Sequence, residues 1–259
     1  MAAWNSTKNP RGMAEVEQVR VGFKFLRSNL GWVAIYVMTH VVLILVLRFV
    51  TVNLPDVKPV PAWIPLVSLA LQLGIVTGVS MMQALIFMRF GREIDKPLWK
   101  CENDREAIKR FFMVWFILNL VFNLVNQLEV KAWNAEQMEL GAFFSLLMNI
   151  GAIVYIPIGA SIMHWGRLEW KEMGVALRPL WRHIELLFPV LMLGYLGYIL
   201  QGVGLGVMQG MGVDLKTTIA APALVMVLPT LIELLAFTVM WQACMANRNN
   251  PPDDNDFDF

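Results

Sequence analysis

Residues 31–52 read GWVAIYVMTHVVLILVLRFVTV, a stretch in which Arg48 is the only Asp, Glu, Lys or Arg. A helix needs about 20 mostly apolar residues to cross the hydrocarbon core of a bilayer, so this stretch is long enough to span one. Five further apolar stretches have a similar character. The predicted spans are 31–52, 63–90, 111–128, 140–165, 186–208 and 218–244.

The composition of the whole chain is typical of a polytopic membrane protein. Of the 259 residues, 57% are hydrophobic and 16% are charged, and the mean hydropathy is +0.56. Soluble domains are about 45–50% apolar and about 25% charged. Barrel strands cross a membrane in about 9–11 residues, which is shorter than these stretches. The composition excludes a soluble enzyme, a nucleic-acid-binding protein and a disulfide scaffold, and it predicts an all-α bundle of transmembrane helices.

The basic residues predict the orientation of this bundle. Cytoplasmic loops of membrane proteins carry an excess of Lys and Arg. The first 30 residues contain no short apolar core with a cleavage site, so we expect the first span to act as an uncleaved anchor. We therefore predict a multi-pass protein of a bacterial cytoplasmic (inner) membrane with both termini inside. In this topology only four of the 21 Lys and Arg residues lie outside or near the outer boundary: Arg48, Lys58, Lys131 and Lys216.

The ends of the chain differ in composition from the six-helix region, 13–246. Residues 1–12 are expected to form a flexible tail. Residues 247–259 (NRNNPPDDNDFDF) are acidic and contain proline, so we expect a disordered tail. This tail is interpreted either as a solubilising end or as a short docking peptide for a partner.

Amphipathic segments precede the odd-numbered spans, at 13–30, 102–112 and 168–187. We expect three helical hairpins, each entered through a cytoplasmic interfacial helix whose Lys and Arg contact anionic lipid headgroups. In the first segment, one apolar stripe is predicted to lie against the cytoplasmic interface of the membrane. Its residues are Val16, Val19, Phe23, Leu26 and Leu30.

Glu233 is an acidic residue near the middle of the last span. A charged side chain there costs on the order of 3 kcal/mol on insertion scales, so such residues are commonly functional. Pro229 precedes Glu233 by one helical turn and predicts a kink, because a proline frees a backbone carbonyl. The pair indicates a proton or solute site.

Other spans also place polar side chains near the midplane. If these residues converge, they line a polar cavity; if they do not, they are hydrogen-bonding contacts between helices worth about 1 kcal/mol each. Asn126 continues the face of Asn119 and Asn123, and Gln201 lies further toward the outside. The candidate midplane site consists of Glu233, His40, Gln72, Asn119, Asn123 and Asn149.

Several features have structural interpretations. Gly74 and Gly78, and the series Gly202, Gly206 and Gly210, predict close helix packing. Cys101 and Cys244 are expected to be reduced thiols on the cytoplasmic side. Neither belongs to a paired-cysteine motif, and His40, His164 and His183 lie at different depths. We therefore expect neither a metal site nor haem, nor any other cofactor.

Catalytic motifs such as a P-loop, GxSxG or HExxH are absent from the sequence, so we expect no enzymatic activity. The segments GFKFLR (22–27) and ALRPLWR (176–182) resemble the basic, bulky lead-ins of uncharacterised bacterial six-span families. The residues Lys171-Glu172-Met173, Ala176-Leu177-Arg178 and Met240-Trp241 with Cys244 are similar to CysZ-type permeases. This second resemblance implies a transport role, although no sulfate site is transferred from it.

Three functions are compatible with the sequence. The first is an accessory or scaffolding subunit of a larger membrane assembly, with other subunits or a second copy of the chain as partners. The second is a small-solute permease or proton-linked transporter that uses Glu233 and the polar midplane. The third is a lipid-handling protein. A connected polar cavity would favour transport, whereas polar groups satisfied within helix pairs would favour a structural role.

Overall fold

The computed structural model describes residues 15–54, 61, 63–94, 104–165, 177, 184–214 and 218–249. Most of these residues are helical and none lies in a strand, which confirms the predicted all-α class. The helices are α1 (Glu15–Ser28), α2 (Leu30–Asn53), α3 (Trp63–Ile94), α4 (Asp104–Asn134), α5 (Met138–Trp165), α6 (Ile184–Gly210), α7 (Ala220–Val225) and α8 (Val227–Asn249).

Six helical segments are long and apolar enough to cross a membrane, as predicted, with α7 and α8 together forming the sixth. The third is longer than expected, because α4 continues without a break from Asp104 to Asn134. Residues 104–112 are therefore the first turns of a spanning helix and not a separate interfacial helix. The last helix extends to Asn249, past the predicted start of the tail. Residues 1–12 and most of 168–187 lie outside the described residues.

The sixth span is interrupted at Met226, between α7 and α8. Pro229 follows the break. Because proline has no N–H, it cannot donate to the carbonyl of Val225, and this missing hydrogen bond is the cause given above for the predicted kink. The helix resumes with the N–H of Thr230 donating to the carbonyl of Met226 at 3.1 Å. The proline thus lies in the first turn of α8, one turn before Glu233.

The α1 helix, which the sequence predicts to be interfacial, packs against α8, α6 and α2 of the bundle. Phe25 and Leu26 are buried, whereas Phe23 and Leu30 of the predicted stripe are 59% and 63% exposed. Gly22 lies against α8 so closely that a Cβ at this position would come 2.8 Å from the Thr238 hydroxyl. The predicted stripe is therefore wrong in part, because contact with α8 selects the face that carries Gly22.

The spanning helices contact one another in chain order, from α2 to α6, and α8 then contacts α6 and α2. The α8 helix also contacts α3 and α5. In the sixth span, which α7 and α8 form together, 50% of the most apolar 18 residues are buried inside the bundle, the largest share among the six spans described. This position places the side chains of α8, including Glu233, inside the bundle.

The bundle is tightly packed at one end and open at the other. We call the end that contains α1 the tight half; it includes the first half of α2 and α4 and the second half of α3, α5 and α8. In it, Phe87 stacks on Phe237 at 4.1 Å between ring centroids and meets the Trp115 ring edge-on at 5.0 Å. The opposite end, the open half, has most of its large apolar side chains exposed, including Phe49, Leu66 and Leu128.

Glycines support the tight half, although not the glycines expected. A Cβ on Gly91 would lie 2.5 Å from the Trp241 ring, and one on Gly159 would overlap the Trp115 ring. The predicted packing motifs are largely wrong, because a Cβ would meet nothing within 4 Å at Gly74, Gly202, Gly206 or Gly210. Gly78 does approach a neighbour, with Leu43 at 3.2 Å. A spacing of four residues identifies a helix face but not the face that meets another helix.

Candidate functional site

A cavity of about 1010 Å³ lies within the open half and extends to the midplane. All six spans contribute to its wall. Its shape follows from the fold, because the helices separate beyond the aromatic packing of the tight half. The polar and aromatic residues that line it are His40, Gln72, Gln83, Asn119, Phe122, Asn123, Asn126, Gln127, Glu129, Trp133, Tyr155, Tyr198, Gln201 and Glu233.

Glu233 lies at the deep end of this cavity, where α8 passes close to α2 and α3. The hydroxyl of Tyr36 donates to its Oε1 at 2.8 Å, and the amide of Gln83 donates to the same oxygen at 2.7 Å. Two donors on one carboxyl oxygen offset part of the cost of placing an acid within the membrane. His40 supports this arrangement: its ring lies 4.4 Å from that of Tyr36, and its Nδ1 is 3.0 Å from the Tyr36 carbonyl.

A hydrogen-bond network continues from Gln83 across the deep end. The Gln83 amide also donates to the Tyr155 hydroxyl at 2.7 Å, and Tyr155 donates to Asn119 Oδ1 at 2.6 Å. The Asn119 amide donates to Gln83 Oε1 at 2.7 Å and to the Ser80 hydroxyl at 2.9 Å. Each proton in this set has an acceptor, so the network fixes the side chains in one arrangement.

The second carboxyl oxygen of Glu233 remains available to a ligand. Oε2 accepts no hydrogen bond within the described part of the chain. Since Oε2 has no partner and is not buried, it is accessible, and Glu233 lines the cavity. The network therefore presents one free acceptor toward the cavity at a fixed position.

The cavity wall also carries side-chain amides with no hydrogen-bond partner among the described residues. These amides belong to Gln72, Asn123, Asn126, Gln127 and Gln201. An amide without a partner is costly in hydrocarbon but not beside water or a polar solute. They come from three different helices and line the same cavity, which indicates that the cavity is hydrated or filled by a solute.

A second acid lies further out along the cavity, on α4. Glu129 accepts a hydrogen bond from the hydroxyl of Ser145, which in turn lies 3.3 Å from the indole nitrogen of Trp133. Both Glu129 and Trp133 line the cavity. The contacts of Glu129 and Trp133 with Ser145 connect α4 to α5 in the open half.

Five of the six predicted midplane residues line this one cavity: Glu233, His40, Gln72, Asn119 and Asn123. The exception is Asn149, whose amide donates to the carbonyl of Ser145 on its own helix at 2.7 Å. Its polar group is thus satisfied locally, as is common for Asn within helices.

Sequence reasoning missed the partners of Glu233 in this site. Gln83 lies three helical turns after Gln72, on the same face of α3, and this spacing was an available signal. Tyr36 and Tyr155 gave no such signal, because tyrosine in a span is ordinarily an interfacial anchor. Glu129 was missed because it lies just beyond the predicted end of the third span at 128.

The described residues hold no group of three or more His, Cys, Asp and Glu side chains suited to a metal ion. Cys244 is a buried free thiol in the tight half, with its sulfur 3.7 Å from the Ser161 hydroxyl. It does not line the cavity.

Comparison with known protein families, with curated proteins and with solved structures finds no match to this chain. The resemblance to CysZ-type permeases and to bacterial six-span families therefore stays a prediction. The function is therefore inferred from the cavity and its side chains.

Proposed function

We propose that this membrane protein is a non-enzymatic small-solute permease that uses the cavity of the open half as its binding site. The observation that carries this proposal is the convergence of polar side chains from six spans on one cavity of about 1010 Å³. Solute sites in proteins are commonly concave, mostly apolar and supplied with a few placed polar groups. This cavity has that character, with Glu233 at its deep end.

The lack of hydrogen-bond partners for several cavity-lining amides supports solute binding over a role in helix–helix packing. Polar residues that only hold helices together are satisfied by a neighbouring helix, as Asn119 is by Ser80 at 2.9 Å. Gln72, Asn123 and Gln201 instead face the cavity without such a partner among the described residues. A solute or water would complete their hydrogen bonds.

The bias of basic residues supports an outward-facing site. If the termini are cytoplasmic, the open half faces outward and the tight half closes the path to the cytoplasm. Passage of a solute then requires the helices of the tight half to separate, which is a domain-scale motion of the kind that transporters use. Glu233 lies at the boundary between the two halves, where it would respond to both states.

The proposal is tested by uptake into proteoliposomes that contain the full chain. The vesicles are exposed to a panel of radiolabelled solutes: a sugar, a zwitterionic amino acid, a carboxylate and a primary amine. A pH gradient is imposed in half of the samples, because a carboxyl within the membrane is the group that would couple uptake to protons. We expect uptake of at least one solute class, reduced severalfold or more by Glu233→Gln.

Two glycines on α6 provide a matched pair of variants. Gly202 lines the cavity and Gly206 does not, and a Cβ would meet nothing within 4 Å at either position. Gly202→Phe should place a ring inside the cavity and reduce uptake severalfold or more, whereas Gly206→Phe should retain it. Equal uptake by these two variants, or no uptake of any solute by the unmodified chain, would contradict the proposal.

The role of accessory or scaffolding subunit stays a prediction, because it was based on the absence of catalytic motifs. It predicts that purification in mild detergent recovers a partner or a homo-oligomer. A lone monodisperse monomer that transports a solute in proteoliposomes would contradict it. The lipid-handling role is not favoured by the cavity, since Glu129 and Glu233 would repel an anionic headgroup.

A further inference from the structure

The cavity carries carboxyl groups and no Lys or Arg side chain among the described residues that line it. Glu233 is at its deep end, and Glu129 lies further out on α4. Arg48 is in the same half of α2, but its guanidinium donates to the carbonyl of Thr218 at 3.2 Å and the residue does not line the cavity. The charges on the wall therefore favour a cationic solute over an anionic one.

Aromatic rings lie next to the deep carboxyl. The rings of Phe122 and Tyr155 are 5.8 Å apart between centroids, and both residues line the cavity. Tyr155 is close to Glu233, because Gln83 donates hydrogen bonds to both. An ammonium group is attracted to the face of an aromatic ring as well as to a carboxylate.

The hydrogen-bonding pattern at Glu233 also indicates a donor. Oε1 already accepts from Tyr36 and Gln83, whereas Oε2 is accessible and has no donor among the described residues. A primary ammonium has three donors and no acceptor, so it can donate to Oε2. The size of the cavity and the absence of a cluster of metal-ligating side chains in the described chain do not fit a bare metal ion.

We infer that the solute bound in this cavity is an organic amine in its cationic form, with the ammonium group at Glu233 Oε2 and the apolar body against Phe122 and Tyr155. The inference rests on the proposed function, because it names the class of solute that the permease accepts. Glu129 provides a second carboxylate on the route of entry.

The test uses the full chain in nanodiscs and three probes of similar size and shape. Radiolabelled phenethylamine is the cation, phenethyl alcohol is the neutral analogue and 3-phenylpropionate is the anion. Binding is measured by equilibrium dialysis. We expect phenethylamine to bind more tightly than the alcohol, and the anion to bind least.

Variants assign the binding to the cavity. A hydrogen bond between two charged groups is stronger than one to a neutral amide, so Glu233→Gln should weaken phenethylamine binding about tenfold or more. The same substitution should leave binding of the alcohol nearly unchanged. The control is Glu139→Gln, since Glu139 is exposed at the start of α5 and does not line the cavity; this variant should bind like the unmodified chain.

Three results would overturn the inference: equal affinity for the amine and the alcohol, preference for the anion, or no effect of Glu233→Gln. If Glu233→Gln does not purify, the comparison of amine with alcohol is made on the unmodified chain, with Gly202→Phe to show that binding occurs in the cavity. Uptake of a sugar or carboxylate that Gly202→Phe blocks would refute the amine inference alone. Specific amine binding without uptake of any solute would instead refute the permease proposal.

Discussion

The tight half and the open half are built from the same six apolar spans, yet the inner faces of the helices pack closely in one half and line a cavity in the other. In the tight half, aromatic rings stack on one another, as Phe87 does on Phe237, and glycines lie directly against tryptophan rings. In the open half, Gly74 and Gly202 face no neighbour within 4 Å and the helices separate around the cavity. Lipid is as apolar as a leucine side chain, so hydrophobicity alone does not close a bundle within a membrane. Close packing determines which half is closed.

The largest effect expected from this difference is at a tryptophan. Trp115 is fully buried in the tight half, and Trp63 is 48% exposed in the open half. Trp115→Ala should lower the free energy of unfolding by about 3 kcal/mol. This value is at the lower end for large core truncations, because the helices of the unfolded protein remain in an apolar medium. Trp63→Ala should change it by less than about 0.5 kcal/mol. Unfolding in detergent measures both, and similar losses would contradict the difference between the halves.

Glycines give the next largest effect. A Cβ on Gly159 would overlap the Trp115 ring, so Gly159→Ala should destabilise the protein by about 1–3 kcal/mol through overpacking. The matched control is Gly74→Ala, which meets nothing within 4 Å and should be neutral or slightly stabilising, since alanine favours a helix. Thermal unfolding curves of the two variants provide the measurement. A stable Gly159→Ala would show that the tight half can adjust to an added methyl group.

The smallest effect lies at the boundary between the halves, in the network around Gln83. Tyr155→Phe removes a hydroxyl that accepts from Gln83 and donates to Asn119, so it should cost about 1 kcal/mol. Tyr198 also lines the cavity and has no hydrogen-bond partner in the described chain, which makes Tyr198→Phe the control with no expected loss. Unfolding in detergent compares them. Equal stability of the two variants would mean that the network only positions Glu233 and does not stabilise the fold.

The site was predictable only in part. The cost of an acid within a span drew attention to Glu233, and depth along the helices identified His40, Gln72, Asn119 and Asn123. The same reasoning included Asn149, because depth does not say whether a side chain points to the cavity or back to its own helix. It missed Tyr155, whose hydroxyl is functional in the network only because Gln83 and Asn119 lie on either side of it.

The helical class, the number of segments long and apolar enough to cross a membrane, and the polar groups near the midplane all follow from the amino-acid sequence. These properties depend on length and hydropathy within one segment, and the bilayer imposes them on each helix separately. The packing of the helices is needed to see that the polar groups share one cavity and that Gly91 and Gly159 are among the closely packed glycines. The rotation of each helix about its axis depends on contacts with all its neighbours at once, and no single span carries that information.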